Sequence, residues 1–206
     1  MPKLAPLSPL AAVAVPGRYG KCTGGPRPVV LTERPGLRLC VVSARRGASA
    51  QVAEMVQGLT GLSLPHGPKR VTKQGLALIG TAPDQWLAVA EGDAASASLD
   101  TLIEALAGTA TAVDQSGGKA VLRVSGSRAR AVLAKGCMLD LDPRAFTPGD
   151  AATTPIALID CVLWQLDEAP SYDLAMPSTF ATSFWAWLTA SAAEFGYEVA
   201  APQQPR

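Results

Sequence analysis

One histidine, His66, is all that the 206 residues contain, and charged residues make up 17% where about a quarter is usual for a free-standing domain. A metal site needs three or four convergent His, Cys or carboxylate ligands, and a triad needs a base seated beside a nucleophile. A lone histidine between Pro65 and Gly67-Pro68 reads as a solvated loop residue. Cys22, Cys40, Cys137 and Cys161 are widely spaced and form no paired motif, so each reads as a small buried residue in a reducing compartment. The 18 Lys and Arg against 17 Asp and Glu leave a net charge of +1 and no concentrated basic footprint, which excludes nucleic-acid binding driven by counterion release. The longest N-terminal apolar run, Leu10 to Val15, is short and interrupted on both sides by proline. It suits neither a secretory segment nor a membrane span, and cytoplasmic residence is the expectation.

What is present is apolar residue, 48% of the chain, enough for one large domain or two small intimate ones. The low charge fits a surface partly covered by something else. Residues 1–27, rich in Pro and Gly, read as an extended arm that needs another surface to order it. Residues 28–110 form a first lobe: a strand over Leu37 to Ser43, a helix over Ala48 to Gln57, a hairpin of Gly75 to Gly80 with Trp86 to Ala90, and a helix over Ser96 to Ala107. Residues 111–200 repeat the order, and 201–206 are a tail. A turn at Ser116-Gly117-Gly118 leads to a strand over Lys119 to Ser125. A helix over Arg128 to Lys135 follows, capped by Ser125 or Gly126 and stopped by Gly136. Strands over Ile156 to Asp167 and Tyr172 to Met176 and a helix over Thr179 to Phe195 complete the lobe. Ala82-Pro83 with Leu87-Ala88 matches Ala169-Pro170 with Leu174-Ala175 at one offset, in keeping with internal duplication. Two such lobes, each an antiparallel sheet with two helices on one face, give an α+β fold.

Catalytic candidates are few. Ser116-Gly117-Gly118-Lys119 has the wrong glycine spacing for a phosphate loop, Ala120 where a metal-binding hydroxyl is needed, and a strand following instead of a helix. Asp140 and Asp142 point the same way on an extended segment, but a structural role is preferred, with Asp140 accepting from amides around Pro143 or meeting Arg144. In the last helix Ser178 is a good N-cap. Phe180, Phe184, Trp187, Leu188, Ser191 and Phe195 share one core stripe. Trp185 falls about 100° from Phe184, flanked by Ala181 and Thr189, and is the candidate interface residue. No catalytic, cofactor-binding or metal-ligating residue is assigned.

One resemblance is specific. Asp114-Gln115-Ser116, Arg123-Val124-Ser125-Gly126, Lys135-Gly136-Cys137, Leu139-Asp140-Leu141 and Pro143-Arg144-Ala145-Phe146 resemble the gamma subunit of heterotetrameric sarcosine oxidase. The likeness continues through Trp164 and Phe184-Trp185-Ala186-Trp187-Leu188, with Met138 and Asp142 standing where that family commonly has proline and histidine. It implies a reduced relative of the glycine cleavage T protein folate-binding fold, acting as a non-catalytic scaffold beside alpha, beta and delta subunits. Those subunits would carry FAD, FMN, NAD, zinc and tetrahydrofolate and oxidise sarcosine to glycine, hydrogen peroxide and a one-carbon unit. The alternatives are the matching subunit of an N-methylglutamate dehydrogenase-like complex and a stand-alone folate-binding or aminomethyl-transfer protein.

Overall fold

The structure, a computed structural model, describes residues 8–21 and 27–204. In chain order the elements begin with β1 (Gly17–Tyr19), β2 (Val29–Glu33), β3 (Arg38–Ala44), α1 (Ser49–Thr60), β4 (Arg70–Lys73), β5 (Leu76–Ala82) and β6 (Gln85–Ala90). They continue with α2 (Asp93–Ala105), β7 (Ala110–Asp114), β8 (Lys119–Ser125), α3 (Ala129–Leu133) and β9 (Ala151–Ile156). The last are β10 (Ile159–Asp167), β11 (Ser171–Pro177), α4 (Ala181–Ala192) and β12 (Tyr197–Val199). This is an α+β fold built on two sheets, one of five strands ordered β4-β5-β6-β3-β7 and one of seven ordered β1-β12-β2-β8-β11-β10-β9.

The duplication is real in topology: strand, helix, three-stranded meander and helix recur as β3-α1-β4-β5-β6-α2 and β8-α3-β9-β10-β11-α4, with the strands in the same spatial order. The residue offset that suggested it is wrong, by one position on the second strand of the hairpin and by two on the first. Both hairpins carry a bulge before the turn, between Gly80 and Ala82 and between Gln165 and Asp167, so that Gly80 pairs with Trp86 and Gln165 with Tyr172. Trp86 therefore corresponds to Tyr172, and Leu87 to Asp173 rather than Leu174. The second hairpin has one more loop residue, and because strand side chains alternate with period two, the apparent match joined residues on opposite faces. Leu87 faces the other sheet, whereas Leu174 faces the helices.

Two strands cross between the halves. β2 precedes β3 in the chain but pairs with β8, and β7 precedes β8 but pairs with β3. The expected division at residue 110 thus leaves each half without a strand of its own sheet. The seven-stranded sheet also holds a parallel pair, β12 with β2, so it is not wholly antiparallel.

Packing forms four layers. Val52 and Val56 of α1 and Ala95, Leu99 and Leu102 of α2 lie at helical spacing and bury against one sheet, while Phe184, Trp185 and Leu188 of α4 bury against the other. Between the sheets lie Leu39, Ile79, Leu87, Val121 and Trp164. Strands buried on both faces explain why Leu76-Ala77-Leu78-Ile79 is a continuous apolar run instead of an alternating one. The described part of the N-terminal arm is not merely extended. Ser8 to Ala14 makes a turn in which the Ala14 amide donates to Leu10 O at 2.8 Å, and Leu10 is fully buried.

Candidate functional site

Most of the groups nominated by sequence are turned to structural tasks. His66 is exposed, beside a cavity of about 420 Å³ that Thr81, Asp84 and Trp86 also border. There the Thr81 hydroxyl donates to Gln85 O and Asp84 accepts from Ser49 Oγ. In the glycine turn the amides point inward: Ser116 N donates to Asp114 Oδ1 at 2.7 Å, and Gly118 N and Lys119 N donate to Gln115 O. Those donors are spent, so no phosphate cradle exists there. The Ser116 amide holds the Asp114 carboxyl below its ordinary value. Ser178 does not cap the last helix; its hydroxyl donates to Gly117 O, and residues 178–180 form a 3-10 turn ahead of α4.

Asp142 N donates to Asp140 Oδ1, and Arg144 donates to Asp142 through its backbone amide, Nε and Nη2. Arg144 meets Asp142 and not Asp140. That hydrogen bonding holds the Asp142 carboxyl down at about 2, so it stays ionised near neutrality. Burial pushes up the thiols of Cys40, Cys137 and Cys161, the last to about 12, which leaves them protonated and unreactive. Cys22 lies outside the described residues.

Trp185 requires a correction. It is 6% exposed and Ala181 is fully buried, both within the core under the seven-stranded sheet, while Thr189 is half-buried and donates to Trp185 O. The buried stripe of α4 is rotated relative to the expected one. Trp187 lies at its flank against Gly136, where a Cβ would come within 2.5 Å of the indole, and Phe180 is 52% exposed in the 3-10 turn. Gly136 is small because the indole needs the space; no left-handed backbone is involved. Helix α3 likewise starts without a side-chain cap, Arg128 standing at its N-terminus.

Charge that matters sits between the sheets, where sequence reading assigned no role. Arg123 of β8 donates to both oxygens of Asp173 on β11, at 2.7 and 2.9 Å, and Arg34 donates to Glu91 at 2.6 Å. Gln203 Oε1 accepts from both arginines. Although burial opposes it, the Asp173 carboxylate holds the Arg123 guanidinium above its ordinary value. Arg70 of β4 borders the same small cavity.

Two large apolar side chains are almost fully exposed, Leu158 at 98% in the turn that joins β9 and β10 and Met138 at 93% on the segment that follows Cys137, which bridges Ile156. The turn closing β9 and β10 places Ala157 at φ 51° and Leu158 at φ 66°. Such two-residue turns favour Asn-Gly, and each L-residue forced into the left-handed region costs about 1–2 kcal/mol. A larger cavity of about 550 Å³ borders Ser8, Glu33, Arg38, Asp114 and Lys119, with Arg38 already paired to Asp100 at 2.6 Å.

Among the described residues no cluster of three or more His, Cys, Asp or Glu is placed to hold a metal, and no helix is long and apolar enough to cross a membrane. The cavity bordered by Arg34, Arg70 and Arg123, about 70 Å³, is far below the roughly 300 Å³ or more that a small-molecule site needs, so a pterin does not fit in it.

Residues 45–194 match the sarcosine oxidase, gamma subunit family. The chain is 37% identical over 153 residues to the sarcosine oxidase subunit gamma of Corynebacterium sp. (strain P-1), covering 74% of this chain and 73% of that one. It superposes on a chain of the heterotetrameric sarcosine oxidase from Corynebacterium sp. U-96 with a TM-score of 0.77 and 30% identity, over 92% of this chain and 95% of the other. The glycine cleavage system aminomethyltransferase T of Bartonella henselae shares the fold, with a TM-score of 0.58 at 16% identity over 82% of this chain and 49% of that one.

Proposed function

The chain belongs to the sarcosine oxidase gamma subunit family, and from that premise we propose that it is a non-catalytic structural subunit of a heterotetrameric, flavin-bearing complex. Its partners are the alpha, beta and delta subunits, which hold FAD, FMN, NAD, zinc and tetrahydrofolate. They convert sarcosine, oxygen and water to glycine, hydrogen peroxide and a one-carbon unit in the cytoplasm. This chain supplies a rigid wall.

The observation that carries the reading is the structural use of Ser116, Ser178, Asp140 and Asp142 together with the outward display of Leu158 and Met138. An exposed apolar tip held in strained backbone is costly in water and gains when a partner covers it. Carboxylates committed to arginine and thiols held protonated offer nothing to lower a reaction barrier by the roughly 8 kcal/mol of even a modest enzyme.

Co-expression with the other three subunits tests this. The expected product is one yellow species containing all four chains that forms peroxide from sarcosine, while this chain purified alone forms none. Turnover by the lone chain, or failure to join the complex, overturns the reading.

A further inference from the structure

We propose that the cavity between the two sheets binds one small oxyanion, held by the guanidinium groups of Arg70 and Arg34. The cavity measures about 70 Å³ and is bordered by Arg34, Arg70, Arg123, Glu91 and Asp173. Two of the three arginines are answered by carboxylates: Arg34 by Glu91 and Arg123 by Asp173. Arg70 is not. Among the described residues no carboxylate lies within 4.0 Å of it, and its buried Nε has no hydrogen-bond partner. The buried Nε of Arg34 is also unpaired. Three cations against two anions leave one positive charge in excess, and the free donors come from both sheets.

A cation withdrawn from water without a counter-ion is strongly disfavoured, and burial accordingly pushes the Arg70 guanidinium below its ordinary value, with Asp173 attracting it and Arg123 repelling it. An anion in the cavity removes that conflict. Size selects among anions: at about 10–15 Å³ for each water-sized occupant, the space holds roughly five, which suits phosphate, sulfate or a short carboxylate and excludes a nucleotide. Guanidinium forks match the paired oxygens of such ions. The two carboxylates at the cavity do not close it to an anion, because each is already neutralised by its own arginine. Gln203 bridges Arg34 and Arg123 and so fixes the two paired guanidiniums, leaving Arg70, among the described residues that border the cavity, as the one cation without a carboxylate partner. The inference stands apart from the scaffold role and holds whether or not the chain assembles.

Thermal unfolding of the full chain in phosphate, sulfate and acetate, against chloride at matched ionic strength, tests it. Phosphate at 100 times its dissociation constant is expected to raise the midpoint by about 5 °C or more, with chloride much weaker. Stabilisation by acetate instead of phosphate assigns the site to a carboxylate and upholds it. Arg70→Met is expected to abolish the response while raising the midpoint in anion-free buffer, and the exposed Arg45→Met is expected to keep the response. Arg70→Lys, which retains charge without the fork, gives a second reading with a weakened response. A response that survives Arg70→Met, or no response of the parent chain to any of the three ions, overturns the proposal. In the assembled complex, equilibrium dialysis with labelled phosphate is expected to count one equivalent per chain more for the parent than for Arg70→Met.

Discussion

At equivalent positions the two halves of this molecule make opposite choices. In the five-stranded sheet Val41 lies directly across from Leu87; in the seven-stranded sheet the same cross-strand pair is Arg123 with Asp173. Both pairs face the layer between the sheets. One half gains from apolar burial, and the other replaces it with a bidentate ion pair linked through Gln203 to Arg34 and Glu91. A duplicated scaffold therefore tolerates either solution at this point. The ion pair is set by what surrounds it and is no requirement of the fold. The halves also depend on each other, since each borrows a strand from the segment that leads into the other.

That borrowing supplies the largest expected effect. Residues 28–110 carry β2 without its partner β8 and lack β7, so this fragment is expected not to fold. Residues 35–116 carry β3 through β7 and complete the five-stranded sheet, and they are expected to retain more strand signal by circular dichroism, although their inner face is uncovered. Equal cooperative unfolding of the two fragments would show that the crossing strands are incidental.

The ion pair gives the next effect. Asp173→Ala leaves Arg123 partly buried and unpaired beside Arg70, and denaturant unfolding is expected to show a loss of about 3–5 kcal/mol. The double change Arg123→Val with Asp173→Leu copies the other half, and it is expected to be near neutral or stabilising by about 1–4 kcal/mol. A double variant as unstable as the single one would mean that the two halves are not interchangeable here.

The elements with a strong period were legible from sequence. Lys119 to Ser125 is a strand with the bounds expected, and α1 and α2 follow from valines and leucines at helical spacing. Sheet partners were not legible: nothing local in Val29–Glu33 states that it pairs with β8, because long-range pairing is decided by which face finds a core. The short α3 and the rotation of α4 were lost for a related reason. Trp187 packs on Gly136 from a distant strand connection, so the helix turns Trp185 inward where periodicity alone placed it at the edge. The inter-sheet charges went unassigned because Arg34, Arg70, Glu91, Arg123 and Asp173 come from five separate stretches and converge only in the folded chain.

The turns that open each meander extend the comparison to its smallest expected effect. β4 and β5 are joined by Gln74-Gly75 at φ 50° and 82°, and β9 and β10 by Ala157-Leu158 at φ 51° and 66°. The backbone solution is shared, yet only one half places glycine where left-handed geometry asks for it. Leu158→Gly removes an exposed side chain that packs against almost nothing in this chain and relieves about 1–2 kcal/mol of strain, while the added freedom of the unfolded chain takes back roughly 0.5–1 kcal/mol. The isolated chain is expected to gain about 0.5–1 kcal/mol by thermal or urea unfolding. Under the scaffold reading, the same variant is expected to lose tenfold or more in affinity for the other subunits on dilution of the complex, because the tip it removes is the apolar contact. Higher stability with undiminished assembly would make the leucine a neutral accident of one half and move the docking surface elsewhere.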